Sequence, residues 1–291
     1  MLDHCARCKI VFIGPGIMAE AMIAGLIRQK LASPGDMIAA GPRLERLEEL
    51  QKTYGILVDI DNANAVRLAD IVVLSVKPQR LKRVLTDLRG LVPPHALVLS
   101  IVAGAPINKI ETGLAHQRVV RSMPNTPAQI GEGITVWTAS QAVTKEEQEI
   151  ARQVLSALGD EVYVEEESYL DMATAVSGTG PAYVFLFMEA MIDAGVHLGF
   201  PRRIAEQLVA KTVRGSVDFY LKKEGPTHLA HLRNQVTSPG GTSAAALYYL
   251  EKAGFRTAIS RAIWAAYERS QELGKESKAR SPVGGGDGLE D

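Results

Sequence analysis

Short apolar runs punctuate the first half of the chain at 9–13, 37–40, 71–76, 96–102, 119–123, 134–138 and 161–164. Each of the first four is followed by a stretch with helical periodicity. Runs that are apolar throughout, rather than at alternate positions, predict strands buried on both faces, as in a parallel sheet. Strand–helix alternation up to residue 166 predicts a doubly wound α/β fold. One helix start is written out in full: Thr144-Lys145-Glu146-Glu147 has the form of a capping box, with Gly159 just past the end of the helix it opens.

After Glu165-Glu166-Glu167 the strand signal stops, and 168–176, 181–198, 201–221, 242–253 and 255–273 read as helices. Pro181 and Pro201 suit first-turn positions, where a missing N–H costs nothing, and Gly199 and Gly254 suit helix ends. Several of these helices, 182–194 for example, are apolar on more than one face. One packed layer would leave apolar surface, so the pattern predicts a helical dimerisation domain covered by a second subunit, in preference to cover by the first domain. The tail 275–291, with Gly284-Gly285-Gly286, is charged and aperiodic and reads as disordered. The expected organisation is therefore a dinucleotide-binding domain over 1–166, a helical domain over 167–274 and a tail over 275–291, with no internal repeat.

Composition narrows the function classes. The 291 residues are 46% hydrophobic and 22% charged, a globular balance. Lys and Arg number 32 against 33 Asp and Glu, so there is no basic excess to meet a phosphate backbone, and no nucleic-acid partner is expected. No uninterrupted apolar run reaches the roughly 18 residues that span a bilayer, and the start is too short and polar for a signal peptide. The expectation is a cytoplasmic protein with no membrane partner. Cys5-Ala6-Arg7-Cys8 lies upstream of the first strand, where a redox pair is not usually placed, and only His4 is nearby as a further zinc ligand. It reads as two ordinary thiols. His228 and His231 are three apart but lack an accompanying acid cluster, so no metal is expected.

Chemistry enters at Ile13-Gly14-Pro15-Gly16-Ile17-Met18-Ala19, a G-x-G-x-x-A turn between the first strand and an amphipathic helix. Gly14 permits the tight turn, Gly16 lets backbone approach a pyrophosphate, and Ala19 keeps helix and sheet close. The helix N-terminus offers free N–H groups and a positive dipole end to the phosphates. At the end of the second strand, where NAD-specific folds carry an acid for the ribose, the chain reads Ala39-Ala40-Gly41-Pro42-Arg43. Arg43, with Arg46 one turn later, offers a cation for a 2′-phosphate, which predicts NADPH, with NADH as the alternative donor. In the helical half, 176–183 and 236–243 are rich in glycine, which is costly inside helices. The second runs as Ser238-Pro239-Gly240-Gly241-Thr242-Ser243 into a helix start, a geometry suited to a small carboxylate or to an elaborate cap.

At these residues the chain resembles the pyrroline-5-carboxylate reductase family over roughly 9–274. The motifs that carry the likeness are 14–19, Ser75-Val76-Lys77-Pro78-Gln79, Met123-Pro124-Asn125-Thr126-Pro127, 177–183 and 236–243, with Phe255-Arg256 beyond. The resemblance implies a Rossmann domain, a C-terminal helical domain that interlocks two subunits with the active site at their interface, and dimers that often assemble into larger rings such as a decamer. It implies reduction of the ring C=N of 1-pyrroline-5-carboxylate to L-proline with NAD(P)H, the last step of proline synthesis. Carried over, Gly14, Pro15, Gly16, Ile17 and Met18 hold the pyrophosphate. Arg43 lies near the adenosine 2′ position and Asn62 near its ribose. Val76, Lys77 and Pro78, with Ala103 and Gly104, lie along the nicotinamide half. Ser238, Gly240, Gly241, Thr242 and Ser243 match the loop for the substrate carboxylate, and Ser177 and Thr179 border the ring space. Ser243 is the hydroxyl best placed by motif to serve the developing amine.

Some positions depart from the family pattern. Ile17 stands where Asn is usual, Pro15 stiffens the turn, and Ser243 replaces a Thr whose methyl would restrict its rotamer. The stretch 222–231 is also unusual, so Glu224 is carried over only as a residue behind the site. Other readings are a reductase of another cyclic imino acid, a β-hydroxyacid dehydrogenase, for which Lys211 would be the lysine outside any matching motif, and a non-catalytic NADPH-binding regulator.

Overall fold

Ile10–Ile13, Met37–Ala40, Ile71–Leu74 and Leu97–Ser100 are strands β1, β2, β4 and β5, every residue of them buried. The computed structural model describes residues 8–223 and 225–279. With β3 (Leu57–Asp59), β6 (Val119–Met123), β7 (Gly133–Ala139) and β8 (Gly159–Tyr163) the strands form one eight-stranded sheet in the order β3-β2-β1-β4-β5-β6-β7-β8. Burial on both faces follows from the run pattern. Ile10 and Phe12 join one core cluster with Met22, Ile23, Leu26 and Leu155, while Val11 and Ile13 join another with Leu81, Leu85 and Ile110. The helices that supply these side chains are α1 (Ile17–Arg28), α2 (Leu44–Tyr54), α3 (Asn62–Val66), α4 (Pro78–Asp87), α5 (Ile107–Leu114) and α6 (Lys145–Ser156). The doubly wound expectation stands, with the order reversing at β1–β4, where such sheets bind ligands.

Two departures have simple causes. β7 runs antiparallel to β6, because the short 124–132 connection cannot make the helical crossover that a parallel pair needs. β3 was not legible as a run: it has three residues, lies at the sheet edge and leaves Leu57 exposed. The expected capping box is present, with Thr144 and Glu147 bonding each other's backbone N–H.

The chain divides into two compact units, one of 1–179 with 266–291 and one of 180–265. The helical part comprises α7 (Tyr169–Ala173), a π-helical turn at Thr174–Gly178, α8 (Gly180–His197), α9 (Arg202–Leu221), α10 (Leu229–Gln235), α11 (Thr242–Lys252) and α12 (Phe255–Ala279). α12 runs through Gly274 to Ala279, so the aperiodic tail does not begin at 275. No residue of α8 is buried, and Phe185 and Leu186 are among its exposed apolar side chains. By length and composition alone, Tyr169–His197 is apolar enough to cross a membrane, although it carries Asp171, Glu189 and Asp193. Leu170 and Ala175 are buried within the first unit.

Within the first unit, α7 is fixed by charge. Arg121 on β6 is buried and pairs with Glu167 at 2.9 Å and Asp171 at 3.0 Å. Glu167 also accepts from Ile107 N, and Asp171 from the Ser270 hydroxyl of α12. Cys8 is buried, and the expectation for the Cys5/Cys8 pair falls in part on residues outside those described. His4, Cys5 and Glu224 lie outside the described residues.

Candidate functional site

The glycine turn is built by its neighbours. Gly14 has φ +82°, its N–H donates to Ala40 O, and a Cβ there would lie 2.4 Å from Val76 Cγ1. Gly14 is thus demanded by the protein itself. Gly16 is different: a Cβ there meets nothing closer than the Gly14 carbonyl at 3.9 Å. The space that Gly16 keeps clear is filled by no side chain among the described residues, which fits a phosphate drawn up to the N-terminus of α1. Gly16 is the N-cap of α1 and its end carries no side-chain cap among the described residues, so its first N–H groups have no intrahelical partner. Ile17, in place of a polar residue, is 64% exposed, while Ala19 is fully buried against the sheet.

Ser75 opens the Ser75–Gln79 motif and serves the glycine turn. Its hydroxyl lies 3.0 Å from both the Ile13 and Gly14 carbonyl oxygens, tying β4 to the turn. Val76 follows against Gly14, Lys77 is the N-cap of α4, and Pro78 is its first residue, where a proline fits. Ala103 and Gly104 follow β5, and Gly104 holds φ +65° with Leu273 of α12 close to its α-carbon.

Beyond β2, Arg43 is the N-cap residue of α2, exposed and engaged by no ion pair among the described residues. Arg46 is not available as a second phosphate cation. Its guanidinium is paired with Glu20 and Glu49 and bonds the Pro15 carbonyl, with only 17% of the side chain exposed. That part of the 2′-phosphate argument is corrected and Arg43 stands alone. Asn62, the first residue of α3, has a buried Oδ1 with no hydrogen-bond partner among the described residues. A buried unpaired amide oxygen is costly, and a ribose hydroxyl is the kind of donor that would satisfy it. The open Gly16, the uncapped α1 and this orphaned oxygen all fit a dinucleotide.

The residues expected around the substrate fall into two groups. Ser177 lies in a π-helical turn, and Thr179 is the single residue between that turn and the start of α8. Their hydroxyls donate to Ala173 O and Thr174 O, so only their lone pairs remain for a ligand. Single π-turns of this kind recur at functional sites. A Cβ on Gly178 would lie 2.7 Å from Met123 Cε, the flexible end of a side chain that can move aside.

In the second unit, Gly240 (φ +71°) and Gly241 form a turn closed by Gly241 N to Ser238 O at 3.0 Å. Gly241 is the N-cap of α11, and Thr242 and Ser243 are its first two residues. No side chain caps this end, and the Ser238, Thr242 and Ser243 hydroxyls make no hydrogen bond among the described residues. Free N–H groups, a helix dipole and uncommitted hydroxyls together suit a small carboxylate. An elaborate self-cap, the other reading of this loop, is not what forms. Glu251 of α11 anchors the loop's flanks, pairing with Arg256 of α12 at 2.9 Å and with Arg233 of α10 at 3.9 Å. The His228 ring accepts from Ala230 N and so caps α10.

A Rossmann sheet with an open glycine turn, joined to a helical domain with exposed apolar helices, defines a dinucleotide-dependent oxidoreductase that assembles through its helical part. Comparison with known proteins carries this further. Residues 167–273 match the model for pyrroline-5-carboxylate reductase dimerisation, and 9–104 match that for coenzyme F420-dependent NADP oxidoreductase. The chain is 45% identical over 268 residues to a pyrroline-5-carboxylate reductase of Synechocystis sp., covering 92% of this chain and 99% of that one. It is 41% identical to that of Pseudomonas aeruginosa over 92% of this chain and 97% of the relative. Among solved structures, the pyrroline-5-carboxylate reductase of Coxiella burnetii aligns with TM-score 0.83 at 34% identity, over 92% of this chain and 98% of that chain. The Plasmodium falciparum pyrroline carboxylate reductase with NADP bound aligns with TM-score 0.83 at 32% identity, with the same coverage. The chain belongs to the pyrroline-5-carboxylate reductase family, and its C-terminal helical part is a dimerisation domain.

Proposed function

We propose that the chain performs its family's reaction, reducing the C=N bond of 1-pyrroline-5-carboxylate to give L-proline, with NADPH preferred over NADH. The observation that carries the residue assignment is the pair of uncapped helix N-termini, α1 behind the cleared Gly16 and α11 behind Ser238-Pro239-Gly240-Gly241. Each is an anion site by its own physics.

In this reading Gly14, Pro15, Gly16, Ile17 and Met18 hold the pyrophosphate, Arg43 meets the 2′-phosphate and Asn62 the adenosine ribose. Val76, Lys77, Pro78, Ala103 and Gly104 border the nicotinamide half. The dinucleotide supplies a hydride when bound. Ser238, Gly240, Gly241, Thr242 and Ser243 receive the substrate carboxylate, fixing the orientation of the ring, from which most of the rate derives. Ser243 offers its hydroxyl to the ring nitrogen, whose basicity rises as the carbon is reduced. Ser177 and Thr179 border the ring with lone pairs alone. We place the boundary between the two parts at 166/167, and we infer a cytoplasmic homodimer that assembles further into a ring such as a decamer.

The test is the initial rate of NADPH oxidation by purified protein with pyrroline-5-carboxylate, beside the same assay with NADH. Turnover with NADPH preferred supports both the reaction and the Arg43 assignment. Preference for NADH removes the 2′-phosphate reading, and tight NADPH binding without turnover removes the reaction. Light scattering on the same sample separates dimer from ring.

A further inference from the structure

We propose that Arg46 is a positioning residue for the dinucleotide, holding the Pro15–Gly16 peptide of the glycine turn so that its carbonyl faces α2 and the turn stays open to a pyrophosphate. The proposal rests on the reading of that turn as the dinucleotide site.

The guanidinium reaches in three directions at once. Its Nε lies 3.3 Å from the Pro15 carbonyl oxygen, one terminal nitrogen lies 2.7 Å from Glu49 Oε2, and the other bonds Glu20 Oε2. Glu20, in the first turn of α1, is held in turn by the Tyr54 hydroxyl at 2.9 Å. Burial alone would raise the Glu20 carboxyl, yet hydrogen bonds from Arg46 and Tyr54 bring it below its ordinary value. Burial likewise opposes the charge on Arg46, and its bonds to Glu20 and Glu49 raise it instead. The charge of Arg46 is therefore spent on two carboxylates, which makes it a poor ligand for a phosphate. What remains distinctive is its bond to the turn.

Pro15 has no N–H, so its carbonyl is the one polar backbone group by which that residue can be held. The next N–H, of Gly16, already donates to Gly14 O at 2.7 Å. Behind the Pro15 ring lies Gly41, where a Cβ would come within 3.2 Å of Pro15 Cδ. With the carbonyl fixed toward α2, its lone pairs are not free to swing toward the phosphates, where they would repel an anion. A planar fork can serve a carbonyl and two carboxylates together, whereas a lysine ammonium cannot match that geometry.

The test is titration of Arg46→Met and Arg46→Lys with NADPH and with NADH, beside thermal melting and steady-state kinetics. Because the pyrophosphate is common to both dinucleotides, both dissociation constants should rise by the same factor, roughly tenfold for Arg46→Met. KM for both should follow while kcat changes less than about twofold. Arg46→Lys should recover thermal stability more fully than affinity. Loss confined to NADPH would make Arg46 a 2′-phosphate ligand and overturn the proposal. A lowered Tm with unchanged affinity would also overturn it. If Arg46→Met does not fold, Tyr54→Phe, which loosens only Glu20, should raise both constants by smaller equal factors, and no rise there overturns the proposal. Failure of the unaltered protein to bind either dinucleotide would instead remove the reading of the site.

Discussion

A methyl group on Gly14 would lie 2.4 Å from Cγ1 of Val76, whereas one on Gly16 would meet nothing within van der Waals contact except the Gly14 carbonyl at 3.9 Å. Two glycines of one motif therefore answer to different masters. Gly14→Ala should lower stability, because φ +82° costs an L-residue about 1–2 kcal/mol and Val76 must also move. Gly16→Ala should melt close to the unaltered protein yet lose most of its dinucleotide affinity. Thermal melting and an NADPH titration on both variants check this, and equal melting losses would contradict it.

Arg43→Ala should raise KM for NADPH by about tenfold or more, the scale of a charge-assisted hydrogen bond, with little change for NADH. The measurement is the ratio of kcat/KM for the two donors. An unchanged ratio would mean that Arg43 is only the exposed start of α2.

Ser243→Ala should lower kcat/KM for the imine substrate by roughly a hundredfold if its hydroxyl serves the ring nitrogen. Ser243→Thr restores the rotamer-restricting methyl and should raise kcat modestly. An unchanged kcat/KM in the alanine variant would remove Ser243 from the chemistry.

His116 is buried, with its Nε2 2.8 Å from the Ala96 carbonyl oxygen, which that ring nitrogen serves as donor. Burial pushes its pKa below the ordinary 6.5, partly offset by that hydrogen bond. The unfolded chain then takes up a proton near pH 6.5 and the folded chain only at lower pH. Stability from this group is complete above 6.5 and falls as the pH drops below it. Denaturant unfolding of His116→Gln between neutral and mildly acid pH should show a shallower loss than the unaltered protein.

Arg121→Met should be among the most destabilising single changes in the sheet. It leaves Glu167 and Asp171 without their shared buried cation, at about 3–5 kcal/mol. Melting of Arg121→Met beside Glu167→Gln checks the pair, with the second variant expected to lose less.

Most of the fold was legible because its strands announce themselves. Continuous apolar runs such as 71–74 are a direct record of burial on both faces, and the capping box at Thr144 and Glu147 was met in detail. β3 was not legible, because three residues at an edge carry no run, and the reversal of β7 rests on the length of a connection. The glycine turn after β1 and the turn before α11 were readable as local geometry, because helix N-termini and positive-φ turns impose residue types locally. The Arg46 contacts were not, since Arg43 and Arg46 look equally free in sequence.

The sequence by itself determined the doubly wound sheet, the helical second half, the glycine turn after β1 and the turn before α11, because each is specified by neighbours within about a turn of chain. Only the tertiary structure decided which charges are already engaged. Arg46 meets Glu20 across α1 and α2, Arg121 meets Glu167 and Asp171, and the Asn62 amide oxygen is left buried without a partner among the described residues. A side chain's partner depends on which distant elements are brought beside it, and packing across the sheet sets that, not the local pattern.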